Sequence, residues 1–334
     1  MLSSQKNTGQ NPKKEETKMK KILALVLSLT LVLGAVFSLA SCNTDSFQYS
    51  ADPLAADYVE ILKSVKAPTN GKNGTLTVAL SPDFAPMEFV DTSLTGQGQY
   101  VGFDVILANY IAKELDMTLV IKPMDFYACM TILANDQVDL AISGFSWTAE
   151  RAEKFLISDY YIAGENETEQ ILITKAGDTF DWANATDFTG KKIGAQGGSL
   201  QQLLVEEQLV PKGATLVKND DINMLKTMLM NGSVDAVAVA RGNGAALVAN
   251  TPELAPVESE GEYSGFNFFV EEKYKNNVVL LNKNDAELLE KVNAILAKAM
   301  EAGVYDTWYD ACEVYAGVST KDESGYDEEG NPLA

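Results

Sequence analysis

The sequence predicts an α/β protein made of two similar lobes, each a βαβ domain with a largely parallel sheet. Three observations carry that expectation. Short apolar strands alternate with amphipathic helices from residue 75 onward, the pattern of parallel sheets with crossover helices. The alternation restarts near residue 170. Two segments also echo each other, NDQVDLAISG at 135–144 and NGSVDAVAVA at 231–240, each following an amphipathic helix and leading into a strand. Ligand sites in such sheets lie beyond the carboxyl ends of the strands, so a cleft between the lobes is the place to look for function.

The elements follow in order. TLTVAL (Thr75–Leu80) alternates as a strand and opens the first lobe. After a loop rich in Asp, Ser and Gly, GFDVILANYIAKEL (Gly102–Leu115) has the spacing of an amphipathic helix. TLVIKPM (Thr118–Met124) reads as a strand, FYACMTILAND (Phe126–Asp136) as a helix and VDLAISGF (Val138–Phe145) as a buried strand. In the second lobe, ILITK (Ile171–Lys175) is a strand, and KKIGAQGG (Lys191–Gly198) is a strand running into a glycine turn. A helix at Ser199–Leu209, a strand at Ala214–Asp220, a helix at Ile222–Gly232 and a strand at Val234–Ala240 complete that unit. VVLLN (Val278–Asn282), a helix over Asp285–Gly303 and YDTWYDAC close the fold. The expected boundaries are 75–169 for the first lobe, 170–276 for the second and 277–317 for a return to the first. The acidic tail 318–334 lacks apolar periodicity and is expected to be disordered.

Composition narrows the function. A chain of 334 residues accommodates two domains. Histidine is absent, which excludes His-based triads, His metal ligands and imidazole acid–base chemistry. The net charge of −21 argues against nucleic acid, because phosphate binding needs a concentrated basic surface. Nothing in the sequence calls for a cofactor or a metal.

The amino-terminal end reads as an export signal. Met19-Lys20-Lys21 precedes an apolar run that ends in Leu39-Ala40-Ser41-Cys42, so residues 1–41 are expected to be a signal peptide with Met19 as a possible true start. Small residues before a cysteine resemble the lipobox of bacterial lipoproteins, in which Cys42 is diacylated and becomes the new amino terminus. A permanent transmembrane helix is the alternative. Residues 42–74 then form a spacer containing a short helix at Asp52–Lys66 and the linker PTNGKNG. With residues 1–41 removed the balance becomes 20 basic against 45 acidic residues, a net charge of −25. Cys129 and Cys312 are then the remaining cysteines besides Cys42. They could pair outside the cytoplasm, although Cys129 falls in an apolar helical pattern that suits a buried thiol.

Four segments carry a family resemblance. GFDVILANYIAKEL, SGFSWTAERAEKFLISDYY (Ser143–Tyr161), GKKIGAQGGSLQQLL (Gly190–Leu204) and LMNGSVDAVAVA (Leu229–Ala240) occur in the order and spacing seen in extracellular solute-binding proteins of the polar amino-acid type, family 3. The likeness runs from Leu76 to about Gly317, with Ile106 where an acidic residue is usual and Ala149 in place of a proline. It implies a type II periplasmic-binding-protein-like fold with a hinge between the lobes. The implied function is capture of an amino acid or related small carboxylate for an ABC permease and its ATPase, by a monomer held extracytoplasmically through the lipid on Cys42. A sensor docking on a receptor, and a dehydratase-like enzyme on the same fold, are the alternatives.

The resemblance also points to site residues. Arg151 would hold a ligand carboxylate, for which a guanidinium is a matching fork; the plain alternative is a surface pair with Glu150 or Glu153. Gly144 would let the backbone approach the ligand, and Ser146 offers a hydroxyl and an amide. Ser199 begins a helix after Gly197-Gly198, where unpaired N–H groups favour an anion. Ser143 or Ser146 could instead be a plain helix cap. Phe84 and Phe126 fall where the family has aromatics flanking the ligand side chain, although core packing is the usual role of a phenylalanine.

One departure bears on the ligand. The family's ammonium-binding carboxylate comes five residues after the Asp of V-D-A, and here that position is Ala240, followed by Arg241. An unpaired buried ammonium costs several kcal/mol. Either another acid takes the amine, with Asp83, Glu88 and Asp125 as candidates, or the ligand has no α-amine. Arg241 is then a candidate for a second ligand carboxylate, with a solvent-exposed hinge arginine as the equal alternative. The second reading carries the expectation that common polar α-amino acids bind poorly.

Overall fold

The computed structural model describes residues 47–164, 169–257, 266 and 268–318. The signal segment, Cys42 and the tail beyond Val318 lie outside the described residues. The first helix, α1 (Ala56–Val65), buries Tyr58, Val59, Leu62 and Val65, so the helix of the spacer is packed into the body of the protein.

The first lobe is a five-stranded sheet in the order β5-β1-β6-β13-β7. Its parallel part consists of β1 (Thr75–Leu80), β5 (Thr118–Pro123) and β6 (Leu140–Ser146), with β1 pairing β5 from Thr75↔Thr118 to Leu80↔Pro123. Two antiparallel strands, β13 (Asn277–Leu281) and β7 (Leu156–Ile157), extend it. The loop after β1, expected as a turn, is instead a small three-stranded sheet of β2 (Asp83–Phe84), β3 (Glu88–Val90) and β4 (Tyr100–Val101). Helices α2 (Phe103–Glu114) and α3 (Phe126–Ala134) are the crossovers between parallel strands. α3 buries one face, Phe126, Cys129 and Leu133, whereas α2, expected to be amphipathic, is buried at every residue from Phe103 to Asn109 because other elements cover it on several sides. A short helix, α4 (Ala149–Lys154), follows β6.

The second lobe repeats the plan in the order β10-β9-β11-β8-β12. Here β9 (Lys192–Gln196), β10 (Thr215–Asn219) and β11 (Ala236–Ala240) run parallel, while β8 (Gln170–Lys175) and β12 (Leu254–Pro256) are antiparallel to their neighbours. Helices α5 (Leu200–Gln208), α6 (Ile222–Met230) and α7 (Arg241–Ala249) cover it. The chain returns through β13 to α8 (Ala286–Glu301) and α9 (Tyr305–Tyr315), which pack on the first lobe. β6 and β11 are buried at every residue, as expected of central strands covered on both faces.

The sequence echo has a structural cause. In each lobe the Asp of the V-D pair precedes the central strand and accepts bonds from the start of its parallel neighbour. Asp139 takes the N–H and the hydroxyl of Thr77, both at 2.6 Å, and Asp235 takes the Lys192 N–H at 2.8 Å. Cys129 and Cys312 are both buried and unbridged, which settles their pairing in favour of two free thiols.

Candidate functional site

The six predicted ligand residues converge. Phe84, Phe126, Gly144, Ser146, Arg151 and Ser199 line one small space between the lobes, together with Gln196, Leu200 and Gln201. Its volume is about 10 Å³, room for roughly a single water, so the lobes must part to admit a ligand.

Arg151 occupies the middle of this arrangement. The Thr148 hydroxyl caps α4 by accepting the Arg151 N–H, and the helix turns the side chain inward, leaving the residue 4% exposed. Its guanidinium lies 5.6 Å from the centroid of the Phe126 ring and 5.1 Å from that of Phe145, close enough for cation–π attraction. One nitrogen donates to Ser146 O. The other donates to Gly198 O of the second lobe at 2.9 Å. The surface-pair alternative does not describe this residue, because it is buried and its guanidinium donates to Ser146 O and Gly198 O.

Gly144, at φ 54°, sits in the left-handed region that favours glycine. Its N–H donates to Asp104 Oδ2 at 2.7 Å. Asp104 also accepts from Tyr161 at 2.8 Å, and Glu88 accepts from the Ser143 hydroxyl. Burial, followed by repulsion from Asp104, pushes Glu88 well above the usual carboxylate range. This carboxyl pair lies under the cleft floor and is fully buried.

Ser199 is the N-cap of α5: its hydroxyl accepts the Gln202 N–H at 3.1 Å and donates to Gln196 O at 2.8 Å. Gly198 before it has φ 76°, and a Cβ there would come within 2.9 Å of the Tyr127 ring of α3. A larger residue would require the Tyr127 ring to shift.

Of the three acids considered for a ligand cation, the structure separates Asp83 from the others. Glu88 is buried beneath the cleft and Asp125 is exposed at the start of α3. Asp83 stands between the lobes. Its carboxylate accepts from Gln196 Nε2 at 3.1 Å and from the Ile222 N–H at 2.8 Å, both in the second lobe, and from Ser81 at 2.8 Å in its own. Burial raises its pKa to about 6, with Asp221 adding to the rise and the three hydrogen bonds opposing it. Ala240 is fully buried at the N-cap of α7. Arg241 is half-exposed and ion-paired with Glu169, which places it in a surface pair.

Sequence reasoning missed several cleft residues. Gln196 and Gln201 line the space, and Asn243 of α7 donates to Ala85 O across the lobes at 2.9 Å. The position of Gln196, just before the glycine turn at a strand's carboxyl end, was the available signal for it.

Fold and cleft together define a two-lobed solute-binding protein. Residues 76–311 match the family described as bacterial extracellular solute-binding proteins, family 3, and the chain belongs to that family. Among proteins similar to it is an amino acid ABC transporter substrate-binding protein, AbpA, from Streptococcus pneumoniae bound to L-arginine. It is 31% identical with a TM-score of 0.62, over 78% of this chain and 100% of that one. The histidine-binding periplasmic protein of Escherichia coli K12 is 26% identical over 251 residues, 72% of this chain and 90% of that protein. The arginine-binding extracellular protein ArtP of Bacillus subtilis is 25% identical over 228 residues, 68% of this chain and 82% of that protein.

Proposed function

We propose that the protein captures an amino acid outside the cytoplasm and delivers it to the permease and ATPase of an ABC importer, acting as a monomeric lipoprotein anchored through Cys42 and without catalysis. The observation that supports this reading most strongly is Arg151, buried between lobes against two aromatic rings with its forked end directed at the start of α5. A ligand carboxylate between these groups would exchange two carbonyl contacts of the guanidinium for a charge-assisted pair. It would also meet the amino terminus of α5. Phe84 and Phe126 would enclose the ligand's body. The lobes would close on it as a hinge.

Asp83 is the acid we assign to the ligand's cation in place of the residue missing at Ala240. The amino-acid reading therefore no longer requires an amine-free ligand, and α-amino acids become the first candidates. The test is a thermal-shift screen of the mature protein against basic and neutral amino acids and dicarboxylates. A ligand at a hundred times its Kd should add about 2.7 kcal/mol. Stabilisation by dicarboxylates and not by any amino acid would reject the assignment. Replacing Cys42 with Ala should release the protein from the membrane fraction or leave it unprocessed.

A further inference from the structure

Residues 48–75 precede the span that matches the family, and contacts to the first lobe recur along them. Gln48 accepts from the N–H and the hydroxyl of Thr95 at 3.3 and 3.1 Å. Its backbone runs so close to Gly98 that a Cβ there would lie 2.6 Å from Gln48 O. The buried face of α1 then packs on α2 and α9. Tyr58 accepts the Gly102 N–H at 3.3 Å, and its ring centroid lies 5.0 Å from that of Tyr315 in α9. Lys113 of α2 donates to Ser64 O at 2.6 Å, and the Ala67 N–H donates to Asn109 of α2 at 3.3 Å. Finally the Gly71 N–H reaches the Thr118 hydroxyl at 2.9 Å, and the chain enters β1. The partners in every one of these contacts belong to the first lobe.

We propose that this strap makes the first lobe the membrane-fixed half of the protein and the second lobe its moving half. The inference rests on the lipid attachment at Cys42 proposed above. Gln48 is six residues beyond Cys42, and six residues span at most about 20 Å when fully extended. A leash that short, ending on a docked residue, holds the loop around residues 91–98 near the bilayer. A long flexible spacer would instead let either lobe face the membrane.

The experiment uses the lipidated full chain in vesicles containing an energy-accepting lipid dye. Donor labels are placed singly at Thr92→Cys in that loop and at Lys218→Cys on β10, the edge strand of the second lobe; both positions are exposed. The native thiols Cys129 and Cys312 are buried, and an acylated Cys42 thiol does not react. The expected result is strong loss of donor emission at residue 92 and little at 218. Inserting a 20-residue Gly/Ser segment between Phe47 and Gln48 should abolish the difference. Equal losses with the native leash, or a difference that survives the long insertion, overturn the strap as the orienting device. If the Cys42→Ala protein stays on the membrane, or Cys42 itself takes up label, the lipid anchor fails first. That outcome removes the proposal for a different and recognisable reason.

Discussion

β6 of the first lobe and β11 of the second follow the same V-D motif and are buried alike, yet the arginines that come after them reach different surroundings. Beyond β6 the chain turns at Thr148, and α4 carries Arg151 back into the cleft against Phe126 and Phe145. Beyond β11 the helix α7 starts at once, and Arg241, its first residue, pairs with Glu169 with 43% of its side chain exposed. The first lobe thus supplies side-chain charge to the cleft, in Arg151 and Asp83. The second supplies amides and helix starts, through Gln196, Gly198, Ser199 and Ile222. The two lobes share scaffolding and differ in what they present to the cleft.

The sharpest way to break this comparison is at its two arginines. Arg151→Ala should weaken ligand binding by about 2–5 kcal/mol, because it strips a charged partner from a closed site. Calorimetry with the ligand from the thermal-shift screen reads the loss, and unchanged affinity in a folded variant would return Arg151 to a structural role. The two motif aspartates test the shared scaffolding. Asp139→Ala removes two short charge-assisted bonds and should lower unfolding free energy by about 1.5–3 kcal/mol, whereas Asp235→Ala removes one longer bond and should cost about 1 kcal/mol. Urea unfolding checks both, and a larger loss in the second lobe would contradict the ranking.

Asp83 tests the division of charge through pH. In the closed cleft its pKa is raised to about 6, above that of an exposed aspartate. Below that pH the group takes up a proton and loses its charge. Affinity for a cationic ligand should therefore be level above about pH 6 and fall roughly tenfold per unit below it. Asp83→Asn should flatten that profile, and a wild-type profile without the fall would remove Asp83 from cation recognition. The smallest effect is expected at Arg241→Ala, where losing a half-exposed pair should change stability by less than about 1 kcal/mol. Binding in calorimetry should be nearly unaltered. A large loss of affinity there would show that the second lobe also contributes side-chain charge.

Legibility followed physical cause. A helix with a continuous apolar stripe, such as α8, was readable because its spacing is local. α7 was not: RGNGAALVA places Gly242, Asn243 and Gly244, which are poor helix formers, before its alanines and leucine. At Gly244 a Cβ would approach Ile171 Cδ1 to 2.8 Å, a close packing against the sheet that the sequence does not display. The two-residue strands β2, β4 and β7 have no periodicity to detect. Within the cleft, Arg151, Gly144, Ser146, Ser199, Phe84 and Phe126 were accessible through motif and position beyond strand ends. Asn243 and Gln201 were not, because their partners Ala85 and Gln170 lie far away in the sequence.

By itself the sequence determined the α/β class, the repeat, the family and the absence of imidazole chemistry, since each depends on composition or on spacing along the chain. Only the tertiary structure decided which of Asp83, Glu88 and Asp125 stands between the lobes, which arginine is buried, and that the spacer helix is docked. Those are questions of burial and distance between residues far apart in sequence. In Asp83 a first-lobe carboxylate meets a helix start 139 positions later, a contact that no local pattern encodes.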